Sequence, residues 1–133
     1  MRRATESGIV RRFYMWTGRE KELNSLAEIE DYLDSIDNFH DYRLGNIEYN
    51  SEESTAVICV ESDHKPSNSS TDGLVWDFRF EEIKSLSYSV DTMLGNWICE
   101  ITVENQSEIL FALDNGYISV SASKLKLGVP SKI

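Results

Sequence analysis

The sequence predicts an α+β fold: one acidic N-terminal helix packed on a mainly antiparallel β-sheet of about seven strands, curled or folded into two layers. Three observations carry that expectation. A single stretch, residues 25–37, repeats its apolar residues at the helical period. The later apolar stretches, from Arg43 to Leu127, alternate instead with period two. Most links between them are short and rich in Asn, Asp, Ser and Gly, as antiparallel neighbours require. Nothing in the chain alternates strand with helix, which argues against a parallel nucleotide-binding sheet.

At 133 residues, with 41% apolar and 11% aromatic residues, the chain has the size and composition of one globular domain. The charge divides it. Residues 1–21 carry six Lys/Arg against Glu6 and Glu20, together with the aromatic cluster Phe13-Tyr14-Met15-Trp16. Residues 22–133 carry seven basic against twenty-one acidic residues. The expected organisation is therefore a basic N-terminal segment, 1–21, and a single α+β domain, 22–133.

In that domain the helix comes first. Ser25 and Glu28 have the spacing of a capping box, in which each side chain serves an otherwise unpaired backbone N–H. Leu26, Ile29, Leu33 and Ile36 share one face, with Tyr32 at its edge, and Glu28, Asp31, Asp34 and Ser35 lie opposite. The first face is expected to be buried and the second exposed. Strands follow at Arg43–Tyr49 and Thr55–Glu61, joined by a turn at 50–54, and 62–73 is a long polar loop. Leu74, Trp76, Phe78 and Phe80 form the apolar face of the next strand, and Glu81–Lys84 reads as a brief helical turn before an extended run at 86–90. After a turn at 91–96, Trp97, Cys99, Ile101 and Val103 alternate with Ile98, Glu100, Thr102 and Glu104. Ile109, Phe111 and Leu113 lead to Asp114-Asn115-Gly116, whose Asn-Gly pair is a hairpin signal. Tyr117–Leu127 completes the sheet, and Gly128-Val129-Pro130 ends it.

Motifs for familiar chemistry are missing. The seven glycines form no phosphate-binding frame, and there is no G-x-S-x-G or H-E-x-x-H. Asp37, His40 and Asp41 have the i, i+3, i+4 spacing of metal-capable groups; the plainer reading is a helix-to-strand junction. His64, beside Asp63, reads as a solvated loop histidine. Glu52-Glu53 and Glu81-Glu82 read as surface charge, because adjacent strand residues point to opposite faces. Trp76, Phe78, Phe80 and Trp97 read as core, with a ligand pocket behind Trp76 and Trp97 as the alternative. Cys59 and Cys99 are far apart and set in apolar stretches, so two buried thiols are expected rather than a disulfide. No catalytic residue, metal ligand or cofactor is assigned.

The net charge of −10 disfavours nucleic acid and anionic membranes as partners of the domain, since both call for a basic face. No apolar run approaches the roughly 18 residues that span a bilayer, and Arg11-Arg12 interrupts any signal-peptide core, so a cytoplasmic location is expected. Between Glu22 and Asp41 stand seven acidic residues and no Lys or Arg. Helices commonly mix charge signs to gain i,i+4 pairs. This one does not, which suggests a basic protein partner docking on Glu28, Asp31 and Asp34.

The stretch Phe39-His40-Asp41-Tyr42-Arg43-Leu44-Gly45-Asn46-Ile47-Glu48-Tyr49, followed by a turn and Thr55–Glu61, resembles small bacterial families. In these a short acidic helix leads into an F-H-D segment, an I-x-Y strand and a β-rich remainder. Some are assigned as immunity proteins of bacterial toxin systems. The run from Ile109 to Leu127 is similar to theirs too, so the likeness spans about 22–127 and leaves out the basic segment. It implies an immunity-type inhibitor of a basic toxin and transfers no individual residue role. Two other readings stay open: a small-ligand-binding β domain, and a metal-dependent enzyme built on Asp37, His40 and Asp41.

Overall fold

Two long strands organise the sheet, each continuing through a bend where its period-two patterning is interrupted. The computed structural model describes residues 19–62, 74–90, 97–105 and 107–130. In chain order the elements are β1 (Arg19–Leu23), α1 (Leu26–Ser35), β2 (Arg43–Asn50), β3 (Thr55–Glu61), β4 (Val75–Val90), β5 (Ile98–Val103), β6 (Glu108–Leu113) and β7 (Gly116–Pro130). The seven strands form one sheet, ordered β2-β3-β4-β7-β6-β5, with β1 also on β7 and all the strand pairings antiparallel. It is not a closed barrel. The segment read as 1–21 and the domain read as 22–133 share β1.

β4 and β7 pair from Asp77↔Gly128 to Val90↔Gly116. The far edge of each is divided. β3 covers β4 only from Val75 to Glu81, while β6 takes β7 from Gly116 to Ser121 and β1 takes it from Leu127 to Pro130. Between the halves the β4–β7 register shifts at Ile83/Ser85, beside Glu82 with φ 55°. Such a bulge sharpens the twist and lets a strand turn a corner. The sheet folds over there: Phe78 and Phe80 of β4 meet Phe111 of β6 edge to face, with ring centroids 5.2 and 6.4 Å apart. The helical turn read at Glu81–Lys84 is therefore a bulge in a continuous strand. Likewise Gly128-Val129-Pro130 does not end the sheet, because β1 pairs with it.

The hairpin between β6 and β7 also differs from its reading. Leu113 pairs with Gly116, so the turn residues are Asp114 and Asn115. Gly116 lies beside β4, where a Cβ would come within 1.7 Å of the Ser89 carbonyl oxygen. Close strand approach and a φ of 155°, which L residues rarely adopt, together fix glycine there.

α1 begins as its spacing predicts. The Glu28 N–H donates to Ser25 Oγ at 3.1 Å, while the Glu28 carboxylate accepts from the Asn24 N–H at 3.3 Å, one residue before the usual capping-box position. Ile29 and Leu33 are buried; Leu26 and Ile36, expected to be buried, are half-buried. Leu26 is the first helical residue and Ile36 the C-cap, so both stand at the ends of a ten-residue helix. The expectation for the thiols fails as well: Cys59 is half-buried, Cys99 is exposed, and both are free.

Candidate functional site

The outer face of α1 is a row of carboxylates. Glu28, Glu30, Asp31 and Asp34 are all exposed, and the last turn holds no basic residue. Among the described residues no ion pair reaches any of these four. Asp34, near the C-terminus, also opposes the helix dipole. The first Arg after the helix, Arg43, is held elsewhere: its guanidinium lies 3.4 Å from Glu61 Oε1 and 5.9 Å from the centre of the Trp97 ring. Glu28 has a second task in the cap. Asp31 and Asp34 are exposed and take no part in it.

The F-H-D segment continues the acidic run and closes one side of the sheet. After Ile36, three consecutive residues, Asp37, Asn38 and Phe39, have φ near +55 to +60°, and Asp41 has φ 70°. The chain thus makes a left-handed turn without a glycine, at a cost of roughly 1–2 kcal/mol per residue. Burial offsets that cost. The turn drives Phe39 fully into the core, where its ring meets Tyr32, Tyr42, Trp76 and Phe78 at centroid distances of 5.3 to 6.4 Å. The same turn seals the edge of β5. Asn38 Nδ2 donates to the Ile101 carbonyl at 2.9 Å, and His40 Nδ1 donates to the Cys99 carbonyl at 2.9 Å. The Asp41 N–H donates to the Ile98 carbonyl, and the Ile98 N–H to that of Tyr42.

His40 is thereby a junction residue. The bond to the Cys99 carbonyl, then the nearby Asp41 carboxylate, raises its pKa above the usual imidazole value. Its Nε2 lies 3.5 Å from Asp41 Oδ2. Among the described residues no three His, Cys, Asp or Glu side chains stand together as a metal site, so Asp37, His40 and Asp41 do not converge. His64 lies outside the described residues, as do the Phe13–Trp16 cluster, the 91–96 turn and all but Ser62 of the polar loop.

The two tryptophans do not share a pocket wall. Trp76 is buried, donates from Nε1 to the Tyr32 hydroxyl at 2.8 Å, and packs edge-on against Phe39 and Tyr42. Trp97, read as core, is 38% exposed and lies outside against Arg43. A register shift between Ile98 and Glu100 explains the difference: Ile98 and Ile101 both face inward, and Cys99 and Glu100 both face out. A groove of about 430 Å³ lies elsewhere, where β7 passes from β6 to β1, lined by Asn24, Leu26, Ser107 and residues 122–126. Sequence reasoning missed it, because it exists only where two strands share one edge incompletely. Among the described residues no helix is long and apolar enough to cross a membrane. In comparisons with protein-family models, with curated proteins and with solved structures, no match to this chain was found.

Proposed function

We propose that this chain is a cytoplasmic binding protein that docks a basic protein partner on the outer face of α1, as an immunity-type inhibitor of a basic toxin. One observation carries the reading: Glu30, Asp31 and Asp34, with Glu28 at the cap, form a solvent-facing row with no basic residue on the helix. Such a row costs self-repulsion and is relieved by an opposite charge from outside. The partner's site would be one that itself holds phosphate, as in a nuclease, so that the carboxylates occupy it and occlude it. The role is binding, without cofactor or metal, and nucleic acid and membranes are not partners of this acidic face.

The test is association kinetics with purified basic toxin domains encoded beside the gene. Replacing Glu28, Asp31 and Asp34 by their amides should slow association and flatten its salt dependence, because the screening length falls from about 10 Å at 0.1 M salt to about 3 Å at 1 M. Folding stability should change little, since glutamine also serves in a capping box. An on-rate indifferent to both salt and the triple substitution would reduce the row to an ordinary solvated face.

A further inference from the structure

A sheet that is not closed leaves strand edges, and this protein treats its edges differently. The edge of β5 is sealed by Asn38, His40, Asp41 and Tyr42. β2 loses regular register between Leu44 and Ile47 and carries the charged Glu48. Bulges and charges of this kind are how natural sheets discourage edge pairing. The second half of β4 has neither beyond its bend. β3 stops at the Thr55↔Glu81 pair, and the last link on that side is the Ile83 N–H to the Ser54 carbonyl at 3.1 Å. From Leu86 to Val90, among the described residues, no strand lies alongside.

Backbone direction follows from one bond. The Ala122 N–H donates to the Ser107 carbonyl, so the even-numbered residues of this part of β7 turn their peptide groups towards β6 and the odd-numbered ones towards β4. The register Ser85↔Ser121, Ser87↔Ser119, Ser89↔Tyr117 then directs the peptide groups of the β4 serines to β7. Those of Leu86, Tyr88 and Val90 point outward. Tyr88 is 70% exposed, the most of any large apolar side chain described. The segment Leu86-Ser87-Tyr88-Ser89-Val90 reads almost the same in both directions, and it is uncharged in a chain of net charge −10.

We propose that this edge pairs with the same edge of a second copy, antiparallel about a two-fold axis at Tyr88. Tyr88 then faces the partner's Tyr88, Leu86 faces the partner's Val90, and Ser87 faces the partner's Ser89. The outward N–H and C=O groups of three residues on each copy satisfy one another. The near-palindrome favours a copy of the chain over an unrelated strand, because one register serves both directions and an isologous contact must match itself. The missing charge matters equally, since elsewhere two copies of so acidic a chain repel. A five-residue edge buries less than the roughly 1,200 Å² of standard interfaces, so the dimer is weak and concentration-dependent.

Sedimentation velocity of the full chain over a hundredfold range of concentration tests this. The expected result is a shift from 15.2 kDa towards twice that mass as concentration rises. Tyr88→Pro removes the central outward N–H without touching a bond to β7, and Tyr88→Lys sets like charges across the axis. Both should remain folded and monomeric, whereas Tyr117→Lys, on the other face, should still dimerise. In the unaltered protein, amide exchange at Leu86, Tyr88 and Val90 should slow at least tenfold at high concentration, while the three serines are protected throughout. A chain that stays monomeric, a dimer undiminished in both Tyr88 variants, or exchange at these three amides unmoved by concentration would each overturn the proposal.

Discussion

His40 shows how one side chain can look catalytic in sequence and be structural in place. Its spacing from Asp37 and Asp41 was visible in the chain, but the backbone of β5 that claims its Nδ1 comes from 59 residues away. No local pattern encodes that partner. A pH dependence follows. The Cys99 carbonyl accepts from the ring and Asp41 favours its protonated form, so the folded-state pKa lies above the unfolded value of about 6.5. Stability from this residue is then fully present below the unfolded value and lost as pH rises through the folded one. Urea midpoints measured on either side of that window should fall with rising pH, modestly because the ring is exposed. His40→Gln should flatten the fall. An equal fall in the variant would assign the dependence to other groups.

Among the elements, α1 and the strands were legible where pattern and burial agree. Ile29 and Leu33 lie inside, and the capping residues start the helix where their spacing says. What escaped were places where the chain leaves its own period: the bulge at Glu82–Ser85, the shift in β5 that turns Trp97 outward, and the left-handed turn after Ile36. Bulges are set by cross-strand register, and that turn holds none of the glycines that usually mark such backbone. The contact of Phe39 with four aromatic rings compensates a conformation that the local sequence does not favour. Asp37 is exposed and has φ 55°, so Asp37→Gly should relieve strain and raise unfolding stability by up to about 1 kcal/mol. A loss of stability in denaturant titration would show that the turn is not strained at Asp37.

For the whole molecule, net charge was the most legible property and the arrangement of the charges the least. The excess of ten negative charges is a sum over the sequence, whereas a docking surface depends on which of them face solvent together. Asp31 and Asp34 do so on α1; Asp77, just as acidic in composition, is buried beside Arg79, with 2.8 Å between Asp77 Oδ2 and Arg79 Nε. Self-repulsion of the compact state has a measurable effect. Between about 0.01 M and 0.1 M salt the screening length shrinks from about 30 Å to about 10 Å. The thermal midpoint should rise over that interval, because repulsion within the folded protein is relieved more than in the expanded chain. A falling midpoint would mean that attractive pairs such as Arg43–Glu61 outweigh the net charge.

β7 is the last of the described strands and the central strand of the sheet. β4, β6 and β1 all bond to it, and β1 meets its final residues across more than a hundred positions of sequence. During synthesis none of these three pairings can form until residues 116–130 have left the ribosome. Until then β4 exposes both edges of its second half, and Phe78 and Phe80 have no β7 neighbours to cover them. Closing such distant contacts is slow, of the millisecond-to-second order of sheet proteins rather than the microseconds of helical bundles. The nascent chain is therefore most exposed to mispairing just before residues 116–130 arrive, and a stall or cut before residue 116 leaves β2-β3-β4 and β5-β6 without the strand that joins them.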